Sequence, residues 1–189
     1  AIEDPLRPEC PQVLKQLEEL GFRRILMLTG DDERTARAVA GKLGLKEYRS
    51  QVLPADKADV IADLTAQGCK VLMVGDGIND APALSASHVG VAMCDGADLA
   101  REVANVLLTR PDLSGLITAR LLGRATLRRI HINFAATMLL NSMFLAGGLF
   151  MILTPGVSAL LHNLTTLGVT LNAMRPHLPG RHARQLEAA

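Results

Sequence analysis

Two aspartates and an asparagine, Asp76, Asn79 and Asp80, fall within five positions of one another in Gly75-Asp76-Gly77-Ile78-Asn79-Asp80-Ala81-Pro82-Ala83-Leu84, with no basic residue among them. Closely spaced carboxylate and amide oxygens suit a hard, oxygen-bound cation such as Mg2+. Glycine on each side of Asp76 lets the backbone approach a phosphate closely. The bland alternative is a Gly-Asp turn in which Asn79 or Asp80 caps the helix that follows. Two more residues offer phosphate chemistry. Thr29, in Thr29-Gly30-Asp31, can hydrogen-bond a phosphoryl oxygen, and Asp31 or Asp32 can cap the next helix, whose N-terminal amides favour an anion. Lys57, in Leu53-Pro54-Ala55-Asp56-Lys57, sits in the first turn of a helix, where a cation opposes the macrodipole. A phosphate partner would explain it; a solvated lysine is the alternative.

These residues need a scaffold, and the apolar patterning supplies one. The run Val71-Leu72-Met73-Val74 reads as a strand buried on both faces, as in a parallel sheet, spanning 70–74. Asp76 then lies just past the carboxyl end of that strand, where open α/β sheets place ligands. Upstream, 11–20 reads as a helix stopped by Gly21, 24–28 as a strand, and 33–43 as a helix stopped by Gly44. A helix opens at Pro54 with Ile61 and Leu64 inward, 81–86 is a short helix, 89–93 a strand, 99–102 a helical turn and 103–108 a strand-like run. Strand–turn–helix in repetition predicts βαβ units.

Composition limits the alternatives. In 189 residues, hydrophobic residues make up 49%, aromatics only 3%, and mean hydropathy is +0.22, a balance that points to membrane segments. Net charge is +1, which gives no support for nucleic acid. Cys10, Cys69 and Cys94 form no CxxC and read as reduced thiols. The sequence begins Ala1-Ile2-Glu3-Asp4, with no initiator Met or signal peptide, as if in mid-domain.

The last third changes character. Residues 113–131 are helical by composition, with Arg120, Arg124 and Arg128 four apart and Arg129 beside them. Residues 132–154 carry no charged Asp, Glu, Lys or Arg over about 23 positions, enough to cross a bilayer. Pro155-Gly156 is expected to break the run, and 157–174 forms a second uncharged stretch of about 18 residues. Arginines flank both outer ends and none lies in the turn, so the positive-inside rule places both ends in the cytoplasm. His162 is the one imidazole deep in a stretch, with Thr166 a turn later; it could ligate a borderline metal or form a helix–helix hydrogen bond. Two buried helices of a soluble bundle are the alternative to membrane spans.

The string GDGINDAPAL resembles the hinge motif of the P-type ATPases, cation pumps whose phosphorylation domain has the haloacid-dehalogenase fold, and the chain is most similar to the heavy-metal subgroup. Thr29-Gly30-Asp31 resembles the family's TGD motif, Pro54-x-x-Lys57 its lysine motif, and Asp4-Pro5-x-Arg7 its return hinge; the likeness runs from Ile2 to Leu108. The resemblance implies a Rossmann-like parallel sheet, incomplete here, over 1–110, then a basic stalk helix (111–131), a transmembrane hairpin (132–154 and 156–174) and a basic cytoplasmic tail (175–189). It implies that Asp76 holds Mg2+ with Asp80 nearby, that Lys57 and Thr29 hold phosphoryl oxygens, and that Asn79 orients the phosphate or the Asp76 loop. Asp4 and Arg7 would order the hinge. ATP would bind mainly to a nucleotide domain not contained in this sequence, and no Asp-Lys-Thr-Gly occurs in it. The expectation is therefore the C-terminal part of a multi-pass cell-membrane pump, inactive without its N-terminal remainder, that moves a transition-metal cation. His162 and Thr166 are the candidate residues for the transported ion. A soluble phosphatase of the same fold and a non-catalytic membrane fragment are the rival readings.

Overall fold

A computed structural model describes residues 6–76 and 78–176. Asp4, Gly77 and the tail beyond Pro176 lie outside the described residues. The chain divides into two compact units, Ala1–Thr118 and Ala119–Ala189.

The first unit is α/β with every strand pairing parallel. It runs α1 (Cys10–Glu19), β1 (Leu26–Leu28), α2 (Glu33–Leu43), β2 (Glu47–Arg49), α3 (Pro54–Ala66), β3 (Leu72–Gly75), a 3-10 turn at Ile78–Asp80, α4 (Ala81–Ala86), β4 (Val89–Ala92), α5 (Asp98–Val103) and β5 (Val106–Leu107). Strands β3, β4 and β5 form one sheet, with Leu72 opposite Val89 and Val91 opposite Val106; β1 and β2 form another, with Leu26 opposite Glu47. Successive side chains on a strand face opposite ways. Leu72, Val74 and Val91 accordingly meet Val13 and Leu17 of α1, while Met73 and Ala92 meet Leu84 and Ala100. Helix α4 lies so close to the sheet that a Cβ at Gly90 would stand 2.8 Å from the Leu84 carbonyl oxygen.

Three expectations need correction. Strand β3 is covered on both faces, yet Leu72, Met73 and Val74 are only half-buried, because one edge of the strand is unpaired. Strand β2, Glu-Tyr-Arg, gave no apolar signal and was not expected. The strand expected over 103–108 shortens to Val106–Leu107, since Val103 ends α5 and packs with Ala104 beneath Leu84.

Helix α6 (Ser114–Leu149) starts in the first unit, where Leu116 is buried in the α1-side core, and continues into the second. It is one helix of 36 residues, with no break where the basic stretch meets the apolar one. At about 1.5 Å per residue that is roughly 54 Å. It ends at Leu149, not at 154. The reversal uses Gly147, whose carbonyl accepts from Ile152 N at 2.8 Å and Leu153 N at 3.0 Å, and where a Cβ would sit 2.7 Å from Leu153 Cδ1. Pro155 does not break a helix; it opens α7 (Pro155–Ala173), behind Thr154 as the N-cap. Among the described residues α6 is the one helix long and apolar enough to cross a membrane. Helix α7 has 19 residues but carries His162, Asn163, Asn172 and three threonines.

Candidate functional site

The site forms where the chain leaves β1 and β3 at their carboxyl ends. A cavity of about 340 Å3 is lined by Thr29 and Gly30 after β1, Gly75, Asp76 and Asp80 after β3, Lys57 from α3, and Arg7, with Leu28, Val74, Met93 and Leu113 as its apolar wall. Strands β1 and β3 belong to different sheets, and among the described residues each has one edge without a partner strand. Residues of both line this one cavity.

Contacts distant in sequence hold Thr29, Lys57 and Asp76, and local ones complete the set. Thr29 is fixed through its backbone: its N–H donates to Arg49 O at 3.0 Å, and its carbonyl accepts from Val52 N at 3.0 Å. Its hydroxyl donates to Asp31 Oδ2 at 2.7 Å and accepts from Asp31 N at 3.1 Å. Asp32, not Asp31, caps α2, accepting from Thr35 N at 2.9 Å. That backbone bond, with the Thr35 hydroxyl, holds the Asp32 carboxyl below its ordinary range.

Lys57 Nζ lies 2.7 Å from Asp80 Oδ1, and both side chains are largely buried, 15% and 12% exposed. The second Asp80 oxygen faces the Asp76 N–H at 3.4 Å. Asp80 thus ties the lysine to the Asp76 loop. It occupies the position before α4 without capping it by its side chain, which removes the simple helix-capping reading for Asp80. Gly75 makes the arrangement possible: a Cβ there would fall 2.7 Å from Asp80 Cβ. The glycine expected to let a phosphate approach also admits an aspartate. Asp76 is exposed, its backbone pinned by Ala97 N donating to its carbonyl at 2.8 Å.

Of the residues singled out in the sequence, Thr29, Gly30, Lys57, Asp76 and Asp80 line the cavity and Asp31 holds the Thr29 hydroxyl. Asn79 is exposed and outside the lining. Sequence reasoning did not place Arg7 here. It lines the cavity and pairs with Asp95 at 3.2 Å across 88 positions, a distance at which no local pattern gives a signal.

Asp76, an exposed carboxylate at the cavity rim, offers oxygens of the type a hard divalent cation takes. Asp80 fits less well as a direct ligand, since both its oxygens already face donors.

In the second unit, His162 Nδ1 lies 2.9 Å from Asn141 Oδ1, and Asn172 Nδ2 donates to Asn133 Oδ1 at 2.6 Å. Arg129 donates to the carbonyls of Arg175 and Pro176. These three contacts set α6 and α7 side by side and antiparallel. Thr166 donates to the His162 carbonyl at 3.1 Å, so its proton is committed within the helix. No group of three or more His, Cys, Asp or Glu residues that could hold a metal exists among the described residues.

A family model described as haloacid dehalogenase-like hydrolase matches residues 1–88. The chain is 43% identical over 176 residues to a manganese-exporting P-type ATPase of Mycobacterium leprae (strain TN), across 93% of this chain and 24% of that protein. It is 41% identical over 182 residues to a copper-transporting P-type ATPase of Rhizobium leguminosarum bv. viciae, across 93% and 22%. The crystal structure of a zinc-transporting PIB-type ATPase in its E2.Pi state superposes with a TM-score of 0.86 at 39% identity, across 92% of this chain and 28% of that one. The chain matches the heavy-metal P-type ATPases.

The match covers the haloacid-dehalogenase-like α/β unit and extends through the helices that follow. The chain spans about a quarter of the length of the curated P-type ATPases it matches. Relatives of nearly equal identity are named for manganese and for copper, so overall likeness does not select an ion.

Proposed function

We propose that this chain is part of an ATP-driven transition-metal pump. It supplies the residues that bind Mg2+ and steady the phosphoryl group of an aspartyl-phosphate cycle, together with two membrane helices. The observation that carries the reading is the Lys57–Asp80 pair, buried at the rim of a cavity that Thr29 and Asp76 also line. Phosphoryl transfer asks a protein mainly for positioning and charge neutralisation. Lys57 supplies a cation whose position Asp80 fixes. Thr29 supplies a hydroxyl whose proton, held by Asp31, would turn to a phosphoryl oxygen when one is bound, with Gly30 leaving the strand end open. Asp76 would hold Mg2+, which neutralises phosphate charge when bound. Asn79, exposed beside Asp80, would reach a phosphate only from the solvent side.

The unpaired edges of β1 and β3 fit an added strand that brings the nucleophilic aspartate to the same cavity. The N-terminal remainder of the pump is the partner that would provide it, along with the nucleotide domain that binds ATP. Helices α6 and α7 would sit in the cell membrane with both ends cytoplasmic, since arginines gather at Arg120–Arg129 and Arg175 and are missing from the 150–153 turn. For the transported cation, His162 is the candidate donor on α7, with Thr166 a turn away.

The test is acid-stable labelling by radioactive ATP. The 189-residue chain alone should take up no label. A longer pump containing it should be labelled in the presence of Mg2+, and Asp76→Asn should abolish the labelling. Stable label on the isolated chain, or undiminished label in the variant, would overturn the reading.

A further inference from the structure

Between Leu113 and Leu186 the sequence contains no Asp or Glu at all, while arginine occurs at 120, 124, 128, 129, 175, 181 and 184. Nothing within that stretch can neutralise these cations. Arg129 is satisfied by two backbone carbonyls beyond the end of α7. Arg124, Arg128 and Arg175 differ: all three are exposed, and among the described residues none of their side chains has a hydrogen bond or ion pair. Arg124 and Arg128 are four apart on α6 and so share a face. The Arg129 contact brings the end of α7, and with it Arg175, to the same end of the helix pair.

The apolar part begins directly after them. From Ile132 to Leu149, α6 has no charged residue, and its surface carries exposed Phe134, Met138, Leu139, Met143, Leu145 and Leu149. At about 1.5 Å per residue this stretch is roughly 27 Å long, close to a hydrocarbon core. If that stretch lies in lipid, Arg128 sits one turn outside it, at headgroup depth. Guanidinium matches phosphate oxygens in a two-pronged geometry, and it is more weakly hydrated than an ammonium group.

We propose that Arg124, Arg128 and Arg175 form a binding site for the phosphate of anionic phospholipid headgroups in the cytoplasmic leaflet. The proposal rests on the membrane reading above. The lipid supplies the counter-charge that Arg124, Arg128 and Arg175 lack among the described residues, and anchors the depth of α6.

The experiment uses the full chain reconstituted in phosphatidylcholine vesicles that contain trace spin-labelled phosphatidylglycerol or spin-labelled phosphatidylcholine. The motionally restricted fraction gives the relative association of each lipid. Phosphatidylglycerol should be preferred by roughly three- to ten-fold, and high salt should weaken the preference. Arg124→Gln/Arg128→Gln/Arg175→Gln should bring it close to parity while helicity and vesicle retention persist. Equal association of both lipids, or a preference untouched by the triple variant, would overturn the site. Displacement of the labelled lipid by millimolar inorganic phosphate would assign the site to a free anion and overturn the lipid. Release of the unsubstituted chain from vesicles by alkaline carbonate would instead defeat the membrane reading itself, a different outcome from loss of lipid preference.

Discussion

The two units use polar residues in opposite ways. In the first, Lys57, Asp80, Thr29 and Arg7 come from separate elements and converge on one cavity, held by bonds such as Lys57–Asp80 that span 23 positions and Arg7–Asp95 that span 88. In the second, Thr137, Thr165, Thr166 and Thr170 each donate to the carbonyl four residues back, and Asn133, Asn141, His162 and Asn172 pair between two neighbouring helices. The first arrangement gathers paired donors and one exposed carboxylate, Asp76, around a single cavity. The second consumes polar groups internally and turns apolar side chains outward. Polar convergence of the first kind suits a site for chemistry; self-satisfaction of the second kind is what an apolar solvent would require.

The largest expected effect breaks the convergence. Lys57→Met leaves Asp80 facing no cation in a mostly buried place. Loss of one partner from a buried pair costs about 3–5 kcal/mol, and roughly 2–4 here given the residual exposure of both side chains. Urea unfolding of the first unit should report it as a lowered midpoint. Lys57→Met with Asp80→Asn should recover most of that stability while phosphoenzyme formation in a full pump stays absent. Were the double variant as unstable as the single one, the pair would not be an ionic device.

Gly75 sharpens the contrast. Alanine there places a Cβ 2.7 Å from Asp80 Cβ, and overpacking of this kind costs about 1–3 kcal/mol. Gly148, near the end of α6, has nothing within 4 Å of an added Cβ. Gly148→Ala should be neutral or raise helix stability by up to about 1 kcal/mol. Thermal unfolding followed separately by near- and far-ultraviolet circular dichroism would compare them. Equal costs would mean that the two glycines play the same part.

How much of this was legible depends on the range of the interaction. Helix α2 and helix α4 match their expected bounds, 33–43 and 81–86, because their signals are local: the Asp32 cap, the Gly44 stop and Pro82 in the first turn. Thr29, Gly30, Lys57, Asp76 and Asp80 were legible as a set because their motifs each mark the carboxyl end of a strand or the start of a helix; Arg7 was not. The Lys57–Asp80 bond was not, since nothing in either local string names the other. Nor was the reversal at Gly147. Its cause is Leu153 folding back onto a glycine, while the more conspicuous Pro155-Gly156 merely starts the next helix.

In the second unit the helix pair should respond weakly to loss of a polar rung. Asn133→Ala and Asn172→Ala should each cost roughly 0.6 kcal/mol, the average for hydrogen bonds between membrane helices, and at most about 1.7 kcal/mol. The two should not add, because each removes the same 2.6 Å bond. A double-mutant cycle on the steric trapping or detergent unfolding of the hairpin reads the coupling. Additive losses would separate α7 from α6 at that rung.

The smallest effect belongs to a surface network that neither the cavity nor the α6–α7 pair uses. Glu33, in the first turn of α2, accepts from Ser50 at 2.7 Å, Tyr48 at 2.8 Å and Arg37 at 2.9 Å, and these bonds, the Ser50 hydroxyl foremost, hold its carboxyl below the ordinary 4.5. Asp32 beside it is held below the ordinary 3.8 by Thr35. Both carboxyls bind protons more weakly folded than unfolded. Their contribution is therefore complete above the unfolded values and disappears as pH falls through the lower, folded ones. Amide exchange in α2 and β2 should accelerate as pH drops below about 4.5, beyond the intrinsic pH dependence, and Glu33→Gln should flatten that response. The effect should be confined to α2 and β2 because, among the described residues, the Glu33 side chain bonds to Arg37 of α2, Tyr48 of β2 and Ser50 just after it. A matching acid response at the Lys57–Asp80 rim would show that the surface network and the cavity are mechanically one.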